Sequence, residues 1–268
     1  MIEIEQVLYR PAYKGPYSQT AIGKFNGKRA IIKTGDSHLN EEKKILDTID
    51  YPAIPKAIDL VAEDDEKQHL ILEYFPGRPL SSHIELDSEW DSRKLSIDET
   101  YAIVDSLAKS LLVLKSKGYL YRDLNLEHVL LNQNRIYLVD LEGCVRQESP
   151  GEWRVNSRSG TWETMAPEEF EVGNRLSEAT GTYMLGVLAL QLTLGDNPFF
   201  ISQEKIPDGE ARRKATLELH EALPEINSGN KKLDAFLTKA LQPEPKKRFE
   251  KIEDFQAALA KLTGHNVG

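Results

Sequence analysis

Two aspartates stand where side-chain chemistry is easiest to place. In the segment YLYRDLNLEHVLLNQNRIYLVDLEG, residues 119–143, Asp123 and Asp140 each lie beside an apolar, strand-like run, 17 residues apart across a hairpin turning at Asn132–Asn134. Carboxylates held rigidly at strand ends could serve as a general base and a metal ligand, although an aspartate there is also a common turn residue. A third carboxylate, Glu42, falls inside the apolar stripe of Leu39, Ile45, Leu46 and Ile49 when residues 37–49 are wound at about 100° per residue, whereas Glu41 points away. Facing a sheet and taken out of water, Glu42 needs a cationic partner. Lys33, at the end of the apolar run RAIIK, is the nearest in sequence. The alternative is a Glu at the edge of the stripe that stays in water, where pairing contributes little.

The elements that must position these groups change character along the chain. Residues 29–33, 56–64 and 65–75 are short apolar runs separated by turns and read as strands of an antiparallel sheet, with the 37–49 helix packed on it. The Pro/Gly stretch Tyr74-Phe-Pro-Gly-Arg-Pro79 is a connector. From residue 96 the period becomes helical. Ser96 and Glu99 form a capping box ahead of a helix with Tyr101, Val104, Ala108, Leu111 and Leu112 on one face, and Gly118 closes it. Further helices are expected at 178–194, 210–221, 231–242 and 252–263.

Composition excludes several function classes. A chain of 268 residues with 40% hydrophobic and 29% charged residues is long and apolar enough for one large domain or two packed lobes. Its net charge of −9 argues against a general nucleic-acid or anionic-membrane binder. The stretch Tyr183–Leu194 is too short for a membrane span of about 20 residues and reads as a buried helix. A lone cysteine, Cys144, and an N-terminus without signal-peptide character point to an intracellular, cytoplasmic protein. Cys144 itself reads as a small packed hydrophobe.

With those residues in order, the sequence resembles the eukaryotic-type serine/threonine protein kinase superfamily over nearly its whole length. AIIK (30–33) resembles the Lys-bearing strand, Glu42 the helix partner and ILEYFPGRPL (71–80) the hinge. YRDLNLEHVLL (121–131) is similar to the catalytic loop, DLEG (140–143) to the metal-binding turn and GTWETMAPEE (160–169) to the end of the activation segment. EPKKRF (244–249) resembles the late motif in which Arg248 pairs with Glu168. The resemblance implies an α+β, bilobal protein-kinase-like fold, a sheet-based N-lobe at 1–75 and a mainly helical C-lobe at 76–268. It also implies a reaction that needs positioning and charge neutralisation more than covalent chemistry. Lys33, steadied by Glu42, would hold the phosphates of ATP, Asp123 would orient or deprotonate the attacking hydroxyl, and Asp140 with His128 would bind Mg²⁺ or Mn²⁺. Gly15, Leu72, Glu73, Phe75 and Leu130 would complete the ATP site, with backbone groups of Glu73 and Phe75 facing the adenine. The partner would be a protein substrate, with no nucleic acid or membrane; the oligomeric state is left open.

Several residues depart from the family pattern. The phosphate-covering loop keeps only Gly15, Ile31 stands where Ala is usual, and Asn125 replaces the catalytic-loop Lys. His128 replaces a metal-binding Asn, Gly181 replaces the Asp beneath the catalytic loop, and Glu142 stands where the metal turn has Gly. Imidazole suits softer metals than Mg²⁺, so a Mn²⁺ preference is expected of an active enzyme. Two alternatives follow: a pseudokinase acting as a binding or scaffold module, and a small-molecule kinase, since Asp-x-Glu is similar to the turn of choline and aminoglycoside kinases. Ser149, Ser157, Ser159, Thr161 and Thr164 in the activation segment are candidates for a phosphorylation that orders the loop against Arg122.

Overall fold

Strand pairing in the N-terminal third is set by a hairpin whose turn, Asn26-Gly27, has positive φ at both residues (50° and 78°). Such a turn matches the twist of the strands it joins. The computed structural model describes residues 1–9, 18–64, 67–84, 95–158 and 160–264. They form two compact units: Met1–Gly77 with Leu130–Glu142, and Arg78–Val129 with Gly143–Gly268. The expected division at 75/76 compares with a first unit that also takes in the 130–142 hairpin. The reason is local: Leu138 N–H donates to the Ala53 carbonyl at 2.8 Å, and Tyr137 stacks on Phe75 with ring centroids 4.2 Å apart.

In the first unit an antiparallel sheet runs in the order β1 (Ile2–Tyr9), β2 (Gln19–Phe25), β3 (Lys28–Gly35), β5 (Gln68–Glu73), β4 (Ala57–Ala62). The β1 and β2 strands were not legible as apolar runs: β1 is exposed along nearly its whole length and carries two register shifts, so it lacks the alternation that marks a half-buried strand. Ala30, Ile32 and Ile71 form a core cluster, with Ile2, Phe25 and Val61 packed on it. The helix α1 (Leu39–Leu46) is shorter than the 37–49 reading; it buries Leu39, Ile45, Leu46 and, with them, Glu42.

The second unit is mainly helical: α2 (Ser81–Ile84), α3 (Ile97–Ser116), α4 (Glu178–Leu194), α5 (Gly209–Ala222), α6 (Lys231–Ala240) and α7 (Ile252–Thr263). The capping box is present: Ser96 Oγ accepts from the Glu99 N–H, and Glu99 bonds back to the Ser96 N–H. The buried face of α3 is turned from the expected stripe, centring on Ile103, Val104, Leu107, Ala108, Leu111 and Leu114, while Tyr101 and Leu112 are half-buried. The α4 helix is apolar all round, as a helix buried on every side must be. A Cβ on its Gly186 would lie 2.8 Å from the Ala240 Cβ, so glycine permits the close approach of α6. Among the described residues no helix is long and apolar enough to cross a membrane.

Candidate active site

In the first unit β3 brings Lys33 to the sheet face under α1, where the side chain is buried. Its Nζ donates to both carboxylate oxygens of Glu42, at 2.8 and 2.7 Å, and to Asp140 Oδ1 at 3.0 Å. Glu42 is 1% exposed, so the water-facing alternative is excluded, and its Oε1 also accepts from the Leu141 N–H at 3.1 Å. Two charges buried together are tolerated only with this degree of pairing. Burial alone would lower the Lys33 pKa, but the carboxylates of Asp140 and Glu42 outweigh it and hold the amine above the usual ammonium range. Lys33 is therefore charged at neutral pH.

Asp140 sits in the left-handed region (φ 61°), uncommon for a non-glycine residue but better tolerated by aspartate than by most. Its Oδ1 takes the Glu142 N–H at 3.3 Å as well as Lys33. Carboxylate oxygens of Glu42, Asp140 and Glu142 lie within 4.8 Å of one another, and His38 Nε2 is 3.7 Å from Glu142. Three carboxylates against one ammonium leave an excess of negative charge on oxygen donors, a set that fits a hard divalent cation.

The expected nucleotide residues of this unit divide between two cavities. Lys33, Asp140 and Glu142 line a cleft of about 40 Å³ with Ser18, Thr20 and His38. Glu73 and Phe75 instead line a cavity of about 640 Å³ with Tyr51, Lys56, Arg135 and Tyr137. Leu72 is buried in β5, and Leu130 is half-buried in the strand Val129–Asn132. The Phe75 ring is thus committed to Tyr137, and the Glu73 N–H donates to the Lys56 carbonyl at 2.9 Å. Gly15 lies outside the described residues, as does Ser159.

In the second unit the loop after the short strand Tyr119–Leu120 presents Asp123. Asp123 Oδ1 accepts three bonds: from Thr161 Oγ1 at 2.6 Å, the Thr161 N–H at 3.0 Å and Asn125 Nδ2 at 3.0 Å. Asn125 is the hub. Its Nδ2 also lies 2.9 Å from Thr161 Oγ1, while its Oδ1 accepts from the N–H groups of Glu127 and His128, capping the turn that follows. His128 Nδ1 rests 2.9 Å from the Asp123 carbonyl, and the carboxylates gathered with Asp140 are Glu42 and Glu142.

Sequence reading missed the partner of Arg122. This side chain is 1% exposed; its Nε donates to Glu169 at 3.1 Å, Nη1 to Asn156 Oδ1 and Nη2 to the Ser157 carbonyl, both at 3.3 Å. Burial pushes Glu169 up to about 7, against the pull of Arg122. The donors a loop phosphate would meet are thus engaged by a carboxylate and by the loop itself. Arg248 binds Glu168 as the sequence suggested, through two parallel bonds of 2.8 Å. Gly181 offers no substitute for the missing Asp: a Cβ there would only touch Ile252 and Leu111 at ordinary distances.

The family model for the protein kinase domain matches residues 12–260. The chain belongs to the protein kinase family. Among curated relatives of this chain, human ribosomal protein S6 kinase alpha-4 is 27% identical over 190 residues, covering 70% of this chain and 24% of the relative. The serine/threonine-protein kinase YPK3 of Saccharomyces cerevisiae is 33% identical over 177 residues, 62% of this chain and 32% of the relative. Protein kinase 3 of Dictyostelium discoideum is 25% identical over 242 residues, 86% of this chain and 25% of the relative. The matched region spans about a quarter to a third of the length of these relatives.

Proposed function

We propose that this kinase-family chain is an ATP-dependent serine/threonine protein kinase of divergent type, transferring the γ-phosphate to a protein hydroxyl. The observation that carries the reading is the Lys33–Glu42 pair, two buried charges joined by bonds of 2.7 and 2.8 Å. A buried ion pair is often no more stabilising than apolar packing of the same volume, so a role toward phosphate accounts for it better than stability does. Lys33 would hold the phosphates as a point charge, and Asp140, with Glu142 beside it, would hold Mg²⁺ or Mn²⁺. The cation, when bound, neutralises phosphate charge; His128 would turn the preference toward Mn²⁺. The hydroxyl oxygen forms its bond to the γ-phosphorus as the bridging P–O bond to ADP breaks. Its proton passes to Asp123 through Oδ2, because Oδ1 is occupied by Thr161 and Asn125.

The test is a thermal shift with ATP and Mg²⁺ or Mn²⁺ on wild type, Lys33→Ala and Asp140→Ala, followed by radiolabelled transfer to casein. A metal-dependent rise in Tm that both variants lose, larger with Mn²⁺, and label on serine or threonine support the proposal. No shift at millimolar ATP overturns it in favour of the scaffold reading, which draws on His128 turned onto the backbone of its own loop. Label on choline or an amino sugar instead of casein selects the small-molecule reading, which draws on the Glu42, Asp140 and Glu142 grouping.

A further inference from the structure

Outside the Asp123 network, α5 carries a histidine that is wholly buried in an aromatic box. His220 is 0% exposed, its ring stacked on Phe199 at 4.0 Å and flanked by Phe170 and Tyr183 at 5.8 and 5.7 Å. Both ring nitrogens are nonetheless bonded. Nε2 lies 2.9 Å from the Trp162 carbonyl and Nδ1 lies 2.7 Å from the Tyr183 hydroxyl. A carbonyl can only accept, so Nε2 carries the proton, and the neutral ring's Nδ1 accepts from the Tyr183 O–H. Burial keeps the ring neutral, with its pKa pushed down to about 4. Phenylalanine would fill this box without the cost of burying two polar nitrogens. The nitrogens are therefore there for their bonds.

What they bind is the segment beside Asp123. Three successive residues of that segment are each tied to a different element: Thr161 to Asp123, the Trp162 carbonyl to His220, and the Glu163 carbonyl to Asn197 Nδ2 at 3.2 Å. Helix α5 holds Trp162 a second time, through Arg212, whose guanidinium lies 5.5 Å from the indole centroid. Thr161, whose N–H and Oγ1 both donate to Asp123 Oδ1, joins this backbone directly to the carboxylate.

We infer that His220 is a positioning residue for the protein substrate: by clamping the Trp162 carbonyl from α5 it fixes the 161–163 ledge on which residues flanking the phosphorylated hydroxyl rest. The inference rests on the protein-kinase reading. It makes the ledge a built feature, set by a neutral imidazole that touches neither nucleotide nor the reacting atoms.

The experiment compares wild type, His220→Phe and His220→Gln in steady-state transfer to casein, with hydrogen exchange followed in the peptide spanning 160–166. His220→Phe should raise the KM for casein roughly tenfold, the order expected for one lost buried hydrogen bond, while the KM for ATP stays at the wild-type value. His220→Gln, whose amide can donate to Trp162 and accept from Tyr183, should return the casein KM to within about twofold of wild type. Exchange at 160–166 should quicken in the Phe variant alone. Equal casein KM in wild type and His220→Phe, or a Gln variant no better than Phe, would overturn the inference. If His220→Phe fails to melt cooperatively, Arg212→Gln replaces it; the same rise in casein KM supports the ledge and its absence refutes it. Should wild type transfer no phosphate to casein, the kinase reading fails. Exchange at 160–166 then decides the clamp by itself, unchanged exchange in His220→Phe refuting it.

Discussion

The first unit holds Lys33 by an ion network, the second holds Asp123 by hydrogen bonds from Thr161 and Asn125. Lys33, Glu42 and Asp140 form an ion network in which two members are almost wholly buried, so each charge depends on the others to stay out of water. Asp123 is half-buried, and it is held by hydrogen bonds from Thr161 and Asn125, with His128 Nδ1 on its own carbonyl. The comparison bears on two of the departures from the family pattern, while Ile31 and Glu142 lie in the first unit. The ion network keeps the family's residue types, because a single exchange would strand a buried charge. The departures Asn125 and His128 both fall in the hydrogen-bonded network, where Asn125 binds Asp123 and Thr161 with an uncharged amide.

That contrast can be broken by substitution. Asp123→Asn should reduce transfer by about 10²- to 10⁴-fold by removing the proton acceptor, while the melting curve barely moves because the amide oxygen can still accept from Thr161; paired activity and Tm measurements check both halves. Lys33→Ala should cost on the order of 3–5 kcal/mol in urea denaturation by stranding Glu42. The double variant Lys33→Met/Glu42→Leu should regain most of that stability yet bind no nucleotide. A double variant as unstable as the single one would show that the pair is not what stabilises this region.

A pH series sharpens the comparison from the side of the second unit. His220 has a folded pKa lowered to about 4 from 6.5, so between those values the unfolded chain binds a proton that the folded chain refuses. Stability is full above about 6.5 and falls as the pH drops toward 4, by on the order of 2–3 kcal/mol. Glu169 acts with the opposite sign: its folded pKa is raised to about 7 from 4.5, so its contribution falls as the pH rises through that range. Comparing wild type with His220→Gln cancels the Glu169 contribution. The Gln variant should show a flatter loss of stability between pH 6.5 and 4, read from urea midpoints, and an unchanged slope would contradict a neutral buried imidazole. The smallest effect is expected for Asn125→Ala, about 1 kcal/mol from a part-exposed network, with a larger fall in kcat than in Tm because Asp123 loses a positioning bond.

How much was legible depended on whether a residue's role is written in local pattern. The α1 stripe announced Glu42 because a carboxylate interrupted a 3.6-residue period, and the Ser96–Glu99 capping box announced the start of α3. The β1 strand did not announce itself, since an exposed edge strand has no buried face to impose alternation. The turned face of α3 was missed for a related reason: Ile103, Leu107 and Leu114 are buried by packing against α4 and α7, and a helix apolar at many positions does not say which arc is chosen. Leu141, Glu169 and His220 find their partners 99, 47 and 58 residues away, beyond the reach of any periodicity.

The sequence by itself placed the helices from residue 96 onward, set Glu42 in the α1 stripe with Lys33 as the nearest cation, and carried the family resemblance, because these follow from side-chain period and short motifs. Only the tertiary structure decided which partners satisfy the buried groups. It turned Glu42 onto the Leu141 amide, Arg122 onto Glu169, Asn125 between Asp123 and Thr161, and His220 onto Trp162. The physical reason is that a buried polar group must be bonded, yet its residue type specifies only what it can donate or accept. Which group answers is set by the chain's path through space.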